Sequence, residues 1–250
     1  MGNIFHLYLV VPFFNILILI YNFLPWPDIG VATIILTFII RLIFFPIFYK
    51  STKQQIIMNR IQPELQKIQK EYKNDKEKQV KAQMELYKKH KVSPFGSCLL
   101  MLAQLPIIFA VYRVFLNGFS SERLADLYGF VARPEIINSI FLGLIDLTKP
   151  NLILAIIAAV LQFVSSKMLM PTSQQSSSSD QPAQKMAATM QKQMIFLGPV
   201  MTLIILGPLP SIIGLYWSAT TIFSILQQWF TQKRVQVEAE KTENNNGGGN

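Results

Sequence analysis

Residues Gly30–Lys50, GVATIILTFIIRLIFFPIFYK, form a mostly apolar run of about twenty residues, long enough to cross a bilayer as one helix. Arg41 stands inside it. At ~1.5 Å per residue, Arg41 is expected roughly 16 Å from Gly30, near the middle of a ~30 Å hydrocarbon core. A guanidinium at that depth costs at least about 2.5 kcal/mol on insertion scales, so it needs water or a partner. No intramembrane Asp or Glu stands elsewhere in the chain to pair with it. Thr33, Thr37 and Arg41 recur at i, i+4 and i+8, one polar stripe on one helix face. That pattern favours a wetted cavity over an arginine paired inside a helix bundle.

Composition extends this reading to the whole chain. Of its 250 residues, 51% are hydrophobic and 15% charged, outside the usual range of soluble domains. The net charge of +9 is unevenly placed. Between Lys50 and Lys91 basic residues crowd one loop, opposed by Glu64, Glu71, Asp75, Glu77 and Glu85, which marks it as cytoplasmic. The apolar spans on either side argue against nucleic-acid specificity. Cys98 is the one cysteine, and His6 and His90 lie far apart, so no disulfide, metal site or cofactor is expected. The sequence carries no P-loop, HExxH or GxSxG pattern, and an enzyme is not expected.

Taken in order, the chain reads as an all-α polytopic membrane protein. Residues 1–28 form an N-terminal helix that either lies at the interface or spans, broken by Pro25-Trp26-Pro27-Asp28. Residues 29–50 are the Arg41 span, and 51–93 a lysine-rich helical hairpin. Its first helix carries Ile57, Ile61, Leu65 and Ile68 on one face, and its second Val80, Met84 and Tyr87. Residues 94–117 cross back, with Gln104 in mid-span and Pro106 beside it. The loop 118–150 is nearly balanced in charge, as expected outside the membrane, and 134–147 within it reads as a short amphipathic helix. Residues 151–170 return, carrying Gln162, Ser165 and Ser166. A polar loop follows over 171–192, where Met186, Met190 and Met194 open an apolar face. Gly207-Pro208-Leu209-Pro210 then divides two further spans, 193–207 and 209–230. The last one bears Ser211, Gly214, Ser218, Thr221, Ser224 and Gln228 as a small or polar stripe, which serves either a cavity or close helix packing. Residues 231–250 read as a disordered cytoplasmic tail. If the polar positions of these spans turn toward one interior, the product is a five-helix core around a hydrophilic groove with one fixed positive charge.

The ordered set TFIIRLIFFP, IQPELQKIQKEY, KVSPFG with AQLPIIFAVY, and GLYWSATTIFSILQQW resembles the YidC-type membrane protein insertases over nearly the whole chain. The resemblance implies a five-span insertase whose groove opens to cytoplasm and lipid, with Arg41 as its arginine and Thr37 and Trp217 lining it or touching substrate. It implies that residues 9–24 lie on the outer surface and that the hairpin receives substrate. The large extracytoplasmic domain and the N-terminal lipidation cysteine of many relatives are not seen in this sequence. Nascent membrane proteins and membrane lipids are the implied partners. A Sec translocon, the ribosome and signal recognition particle machinery are further candidates, although the tail is short and mixed in charge. The groove residues expected are Arg41, Thr37, Thr33, Gln104, Gln162, Ser166, Trp217, Ser218 and Thr221. The alternatives are a small anion transporter and an assembly scaffold without insertion activity of its own. The implied location is the bacterial plasma (inner) membrane.

Overall fold

The computed structural model describes residues 2–93, 96–116, 124–169 and 195–247, with side chains over 4–93, 105–115, 124–169 and 195–238. The fold is helical. In order come α1 (Gly2–Phe5), a π-helical stretch (His6–Val10), α2 (Val11–Phe23), α3 (Ile29–Ile43), α4 (Phe45–Arg60), α5 (Gln62–Glu71), α6 (Lys76–Lys89) and α7 (Gly96–Leu116). Then follow the strands β1 (Ile140–Phe141) and β2 (Ile145–Asp146), and the helices α8 (Leu152–Met168), α9 (Ile195–Leu206) and α10 (Ser211–Gly247). Met186, Met190 and the loop 171–192 lie outside the described residues, as do Met194 and Cys98's side chain.

The surface is inverted relative to a water-soluble protein. Ile156, Ile157 and Val160 on α8 and Val200 and Ile204 on α9 are exposed, while Thr33, Thr37, Arg41, Ser165 and Gln228 are buried. Exposed apolar faces, over an interior that buries polar groups beside its apolar core, are what a lipid surround accommodates. Among the described residues, His6–Phe23 is by itself long and apolar enough to cross a membrane, and α3 with α4 passes the same test as a bent pair.

That bend corrects the straight span expected over 29–50. The chain turns by 71° between α3 and α4. Pro46 is the cause. It lacks an N–H for the ladder and suits the first turn of a new helix, where it stands in α4. Arg41 therefore lies in the last turn of α3, at the bend, rather than midway along a continuous helix.

The start of α3 is set by Asp28. Its Oδ1 accepts from the N–H groups of Gly30 (2.7 Å) and Val31 (3.1 Å), and its Oδ2 from the N–H of Leu142 (2.8 Å). One carboxylate thus caps α3 and ties down the loop before α8 that carries Leu142. Gly30 lets that loop approach: a Cβ there would stand 2.5 Å from Phe141 Cδ2 and 2.8 Å from Leu147 Cδ1.

The loop itself differs from the helix expected over 134–147. It is an antiparallel hairpin, with Ile140 opposite Asp146 and Phe141 opposite Ile145. Leu142 and Gly143 take φ of 50° and 72°, the left-handed turn that a glycine favours. At its foot, the Thr148 hydroxyl and N–H donate to Asp146 and, with Lys149, hold its carboxyl below the usual range.

Helix α2 is fastened to the same loop along its length. Asn15 Nδ2 donates to the carbonyl of Asp126 (3.0 Å), and Asn15 Oδ1 accepts from the N–H of Tyr128 (2.7 Å). Near the other end, the Tyr21 hydroxyl accepts from the N–H of Asn138 (2.8 Å) and Asn22 donates to the carbonyl of Ala132 (2.7 Å). Between these polar ties Phe14, Leu17 and Ile18 pack into the main core with Ala32, Leu36, Val111 and Val114.

The basic segment is a helical hairpin with a core of its own. Ile61, Leu65, Leu86 and Val92 are buried together, flanked by Ile57, Ile68 and Tyr87. The second helix packs through Leu86 rather than through the expected Val80 and Met84, which are exposed. Asp75 caps α6 by accepting from the N–H of Lys78, and that bond, with the Lys78 ion pair, holds its carboxyl below the usual range.

The expected disordered tail is also corrected. Helix α10 continues past residue 230 as far as Gly247. Its sequence there, TQKRVQVEAEK, is rich in helix formers, Val235 is buried, and Glu238 pairs with Lys53 of α4 at 2.5 Å.

Candidate functional site

Arg41 is buried, with 8% of its surface exposed. Among the described residues no carboxylate pairs with it. Its guanidinium instead lies over the ring of Phe48, 4.5 Å from the centroid. Phe48 comes from α4 and reaches Arg41 because the chain folds back at Phe44. A desolvated cation over an aromatic face gains about 2 kcal/mol, which offsets part of the burial cost and leaves the charge without a carboxylate among the described residues.

Four helices meet around this charge. Thr37 and Ile40 come from α3, Phe48 from α4, Ile107 from α7, and Tyr216 and Thr220 from α10. The gap they border is small, about 10 Å³, and partly open to the surroundings; that is on the order of one water molecule. The Thr220 hydroxyl is buried there without a hydrogen-bond partner among the described residues. An unsatisfied hydroxyl beside a cation with no carboxylate among the described residues makes this a place for an acceptor, a water molecule or one anionic group.

The expected groove residues divide. Arg41 and Thr37 meet at the cavity. Thr33 is buried deeper along α3 and bonds the carbonyl of Ile29 (2.7 Å). Gln104 lies in the part of α7 whose side chains are outside the described residues. Gln162 and Ser166 turn toward α9, where a Cβ on Gly198 would meet Gln162 Cγ and Ser166 Oγ, each at 3.8 Å. Trp217 is half-buried against the main core. Ser218 and Thr221 are buried on the face of α10 that also carries Gly214 and Gln228.

That face packs on α8. A Cβ on Gly214 would touch Leu154 Cβ at 3.7 Å, Gln228 Nε2 donates to Ser165 Oγ (2.9 Å), and Gln232 donates to the Met168 carbonyl (2.6 Å). The hydroxyls between are satisfied by their own helix. Ser218 bonds the carbonyl of Gly214 (2.8 Å), Thr221 that of Trp217 (2.8 Å) and Ser224 that of Thr220 (2.9 Å). Such back-bonding to i−4 removes the need for water or a cavity.

Phe48, Ile107, Tyr216 and Thr220 were not singled out from the sequence. Tyr216 and Thr220 share one face by their spacing of four, and only the packing of α10 on α3 shows which face meets Arg41. Phe48 was hidden by the bend.

Among the described residues, no cluster of three or more His, Cys, Asp or Glu could hold a metal ion.

The chain matches the model of the family described as 60Kd inner membrane protein over residues 19–240. A membrane protein insertase YidC of Clostridium tetani is 35% identical over 209 residues, 83% of this chain and 83% of the relative. One of Fusobacterium nucleatum subsp. nucleatum is 32% identical, covering 82% of this chain and 86% of the relative. One of Geobacter sp. is 34% identical, and the match takes in 34% of that longer protein. A crystal structure of an active YidC insertase with its first transmembrane domain resolved superposes with a TM-score of 0.50 at 23% identity, over 79% of this chain and 40% of that one. The last likeness is one of fold.

Proposed function

The chain belongs to the 60Kd inner membrane protein family, and on that premise we propose that it is a membrane protein insertase of the bacterial inner membrane, guiding nascent membrane proteins from the cytoplasm into the bilayer. The name shared by its relatives favours this over the anion-transporter and scaffold alternatives. The activity is physical guidance rather than covalent catalysis. The observation that carries the part of this chain's own residues is Arg41, buried at the bend between α3 and α4 with no carboxylate partner among the described residues.

In this reading the chain crosses the membrane five times, through α3 with the start of α4, α7, α8, α9 and α10, with its C-terminus in the cytoplasm. Helix α2 lies along the outer surface, because its polar side chains engage the outer loop near both ends. The gap at Arg41, widened as substrate enters, gives the polar end of a substrate a stop partway across, where Arg41 attracts its acidic groups. That attraction exceeds its value in water because the surround is of low dielectric. The apolar part of the substrate then leaves sideways into lipid, where insertion is downhill. The membrane potential assists an acidic tail moving outward, by about 2.3 kcal/mol per charge per 100 mV. The cytoplasmic hairpin receives substrate and is where a Sec translocon, the ribosome or signal recognition particle machinery would make contact.

The test is reconstitution into liposomes with a single-span substrate bearing an acidic N-terminal tail, read by protease protection. Protection above that of empty liposomes is expected. Protection no greater than that of empty liposomes, for several such substrates, would overturn the reading.

A further inference from the structure

Helix α10 changes character at Phe230. Before it the helix is largely apolar, and from Thr231 onward it is polar and mixed in charge, with the two cations Lys233 and Arg234 placed first. At this boundary Lys233 Nζ lies 3.9 Å from the centroid of Trp229, and Arg234 Cζ lies 4.6 Å from that of Phe230. Each cation thus reaches back one turn onto the aromatic residue four positions earlier. These four side chains, with Val237 and Glu238, border one concavity. Both cations and both rings are open at the surface. Glu238, the acid that borders the concavity, is engaged by Lys53 of α4, so the local charge remains positive.

We propose that Trp229, Phe230, Lys233 and Arg234 form a docking surface for the phosphate of an anionic membrane lipid. The proposal rests on the reading of this chain as a membrane protein, and it concerns a part of α10 further toward the C-terminus than Tyr216 and Thr220, which border the Arg41 cavity.

Direction decides the occupant. Side chains of a helix tilt toward its N-terminus, and here the N-terminal part of α10 is the apolar span. Lys233 and Arg234 therefore carry their charges back toward the membrane rather than out toward the tail. A guanidinium stacked on a ring through its face keeps its in-plane N–H donors for phosphate oxygens. The exposed Trp229 belongs at headgroup level, where amphipathic rings collect. An RNA backbone would be met by charges projecting away from the bilayer, which is not the arrangement found.

The test uses the full chain in vesicles, with Trp26→Phe and Trp217→Phe leaving Trp229 as the fluorescent reporter. Brominated phosphatidylglycerol and brominated phosphatidylcholine are compared as quenchers at equal mole fraction. Stronger quenching by the anionic lipid is expected, eroded by salt. Replacing Lys233 or Arg234 by Gln should weaken the preference roughly fivefold for each charge removed, the factor that corresponds to ~1 kcal/mol per basic side chain near an anionic surface. Lys233→Arg, which keeps charge and helix propensity, should retain it and controls for folding. Equal quenching by the two lipids, or a preference unchanged in the double Gln variant, would overturn the proposal. Absence of preference together with lost ribosome cosedimentation in that variant would assign the cations to RNA instead. Insertion is read separately with the unsubstituted chain in vesicles of the same lipids. Insertion without lipid preference would defeat this proposal alone, and preference without insertion would defeat the function alone.

Discussion

Helix α10 carries two polar faces that look alike in sequence and behave differently in the fold. One, through Tyr216 and Thr220, meets Arg41 across a cavity. The other, through Gly214, Ser218, Thr221 and Gln228, closes on α8 as a packed seam. The seam's hydroxyls are self-sufficient, because Ser and Thr donate to carbonyls of their own helix and small residues admit the neighbouring backbone, although Gln228 Oε1 is buried there without a partner among the described residues. At the cavity the polar demand is unmet: a cation has an aromatic ring and no carboxylate among the described residues, and a hydroxyl has no partner there. In lipid, then, a hydroxyl stripe is weak evidence of a water-filled path. An unpaired charge is strong evidence.

If that contrast holds, substitutions at the cavity should alter insertion while those in the seam should not. The largest effect is expected at Arg41. Arg41→Ala should lower insertion of a substrate with an acidic tail by about tenfold, ~1.4 kcal/mol, and leave an uncharged-tail substrate much less affected. Equal loss for both substrates in the protease-protection assay would remove the electrostatic role. Phe48→Ala comes next. It deletes the ring that covers the guanidinium, worth about 2 kcal/mol when desolvated, and opens the cavity from the α4 side. A cysteine at position 37 should then react with a water-soluble maleimide several-fold faster than with Phe48 in place. An unchanged rate would mean that α4 is not what closes the site.

The same contrast explains how much could be read from the residues. Arg41 was legible because a charge inside an apolar run has few explanations. Its depth was not, because Pro46 sits within FFPIF, where the apolar pattern runs on through the break. The basic hairpin was legible from the Ile57–Ile61–Leu65–Ile68 period, yet its second helix packs through Leu86, a choice made by the first helix rather than by periodicity. The β-hairpin over Ile140–Asp146 was concealed by an apolar pattern that suits a helix as well, and Gly143 was the signal that a turn interrupts it. The cavity's Tyr216 and Thr220 depend on the rotation of α10 against α3, a tertiary fact. Gln162 and Ser166 show the same limit: their polarity was evident, but their partner is Gly198 on α9 rather than Arg41.

Cysteine accessibility sharpens the comparison at smaller amplitude. With native Cys98 replaced by Ser as background, Thr37→Cys should label from the aqueous phase and Ser218→Cys should not: both are buried, but Thr37 borders the gap at Arg41 while Ser218 lies in the seam packed on α8. Labelling at both positions would mean that the seam opens and that the groove is wider than the cavity around Arg41.

The smallest effect is expected from the seam hydroxyls themselves. Ser218→Ala and Thr221→Val each remove one bond to the helix's own backbone, and the freed carbonyl keeps its regular ladder partner. Nothing buried is left unpaired, so the usual penalty for deleting one half of a hydrogen bond does not arise, and each change should shift stability by no more than about 0.5 kcal/mol. Insertion by the double variant should match wild type. Thr220→Val provides the counterpart on the other face, because it removes a hydroxyl that lacks a partner among the described residues. It should leave thermal stability unchanged or raise it, while slowing insertion slightly if that hydroxyl helps to hold the substrate. A loss of insertion in the seam variant as large as in Thr220→Val would show that both faces of α10 serve the path, and that self-satisfied hydroxyls contribute more to it than their hydrogen bonds imply.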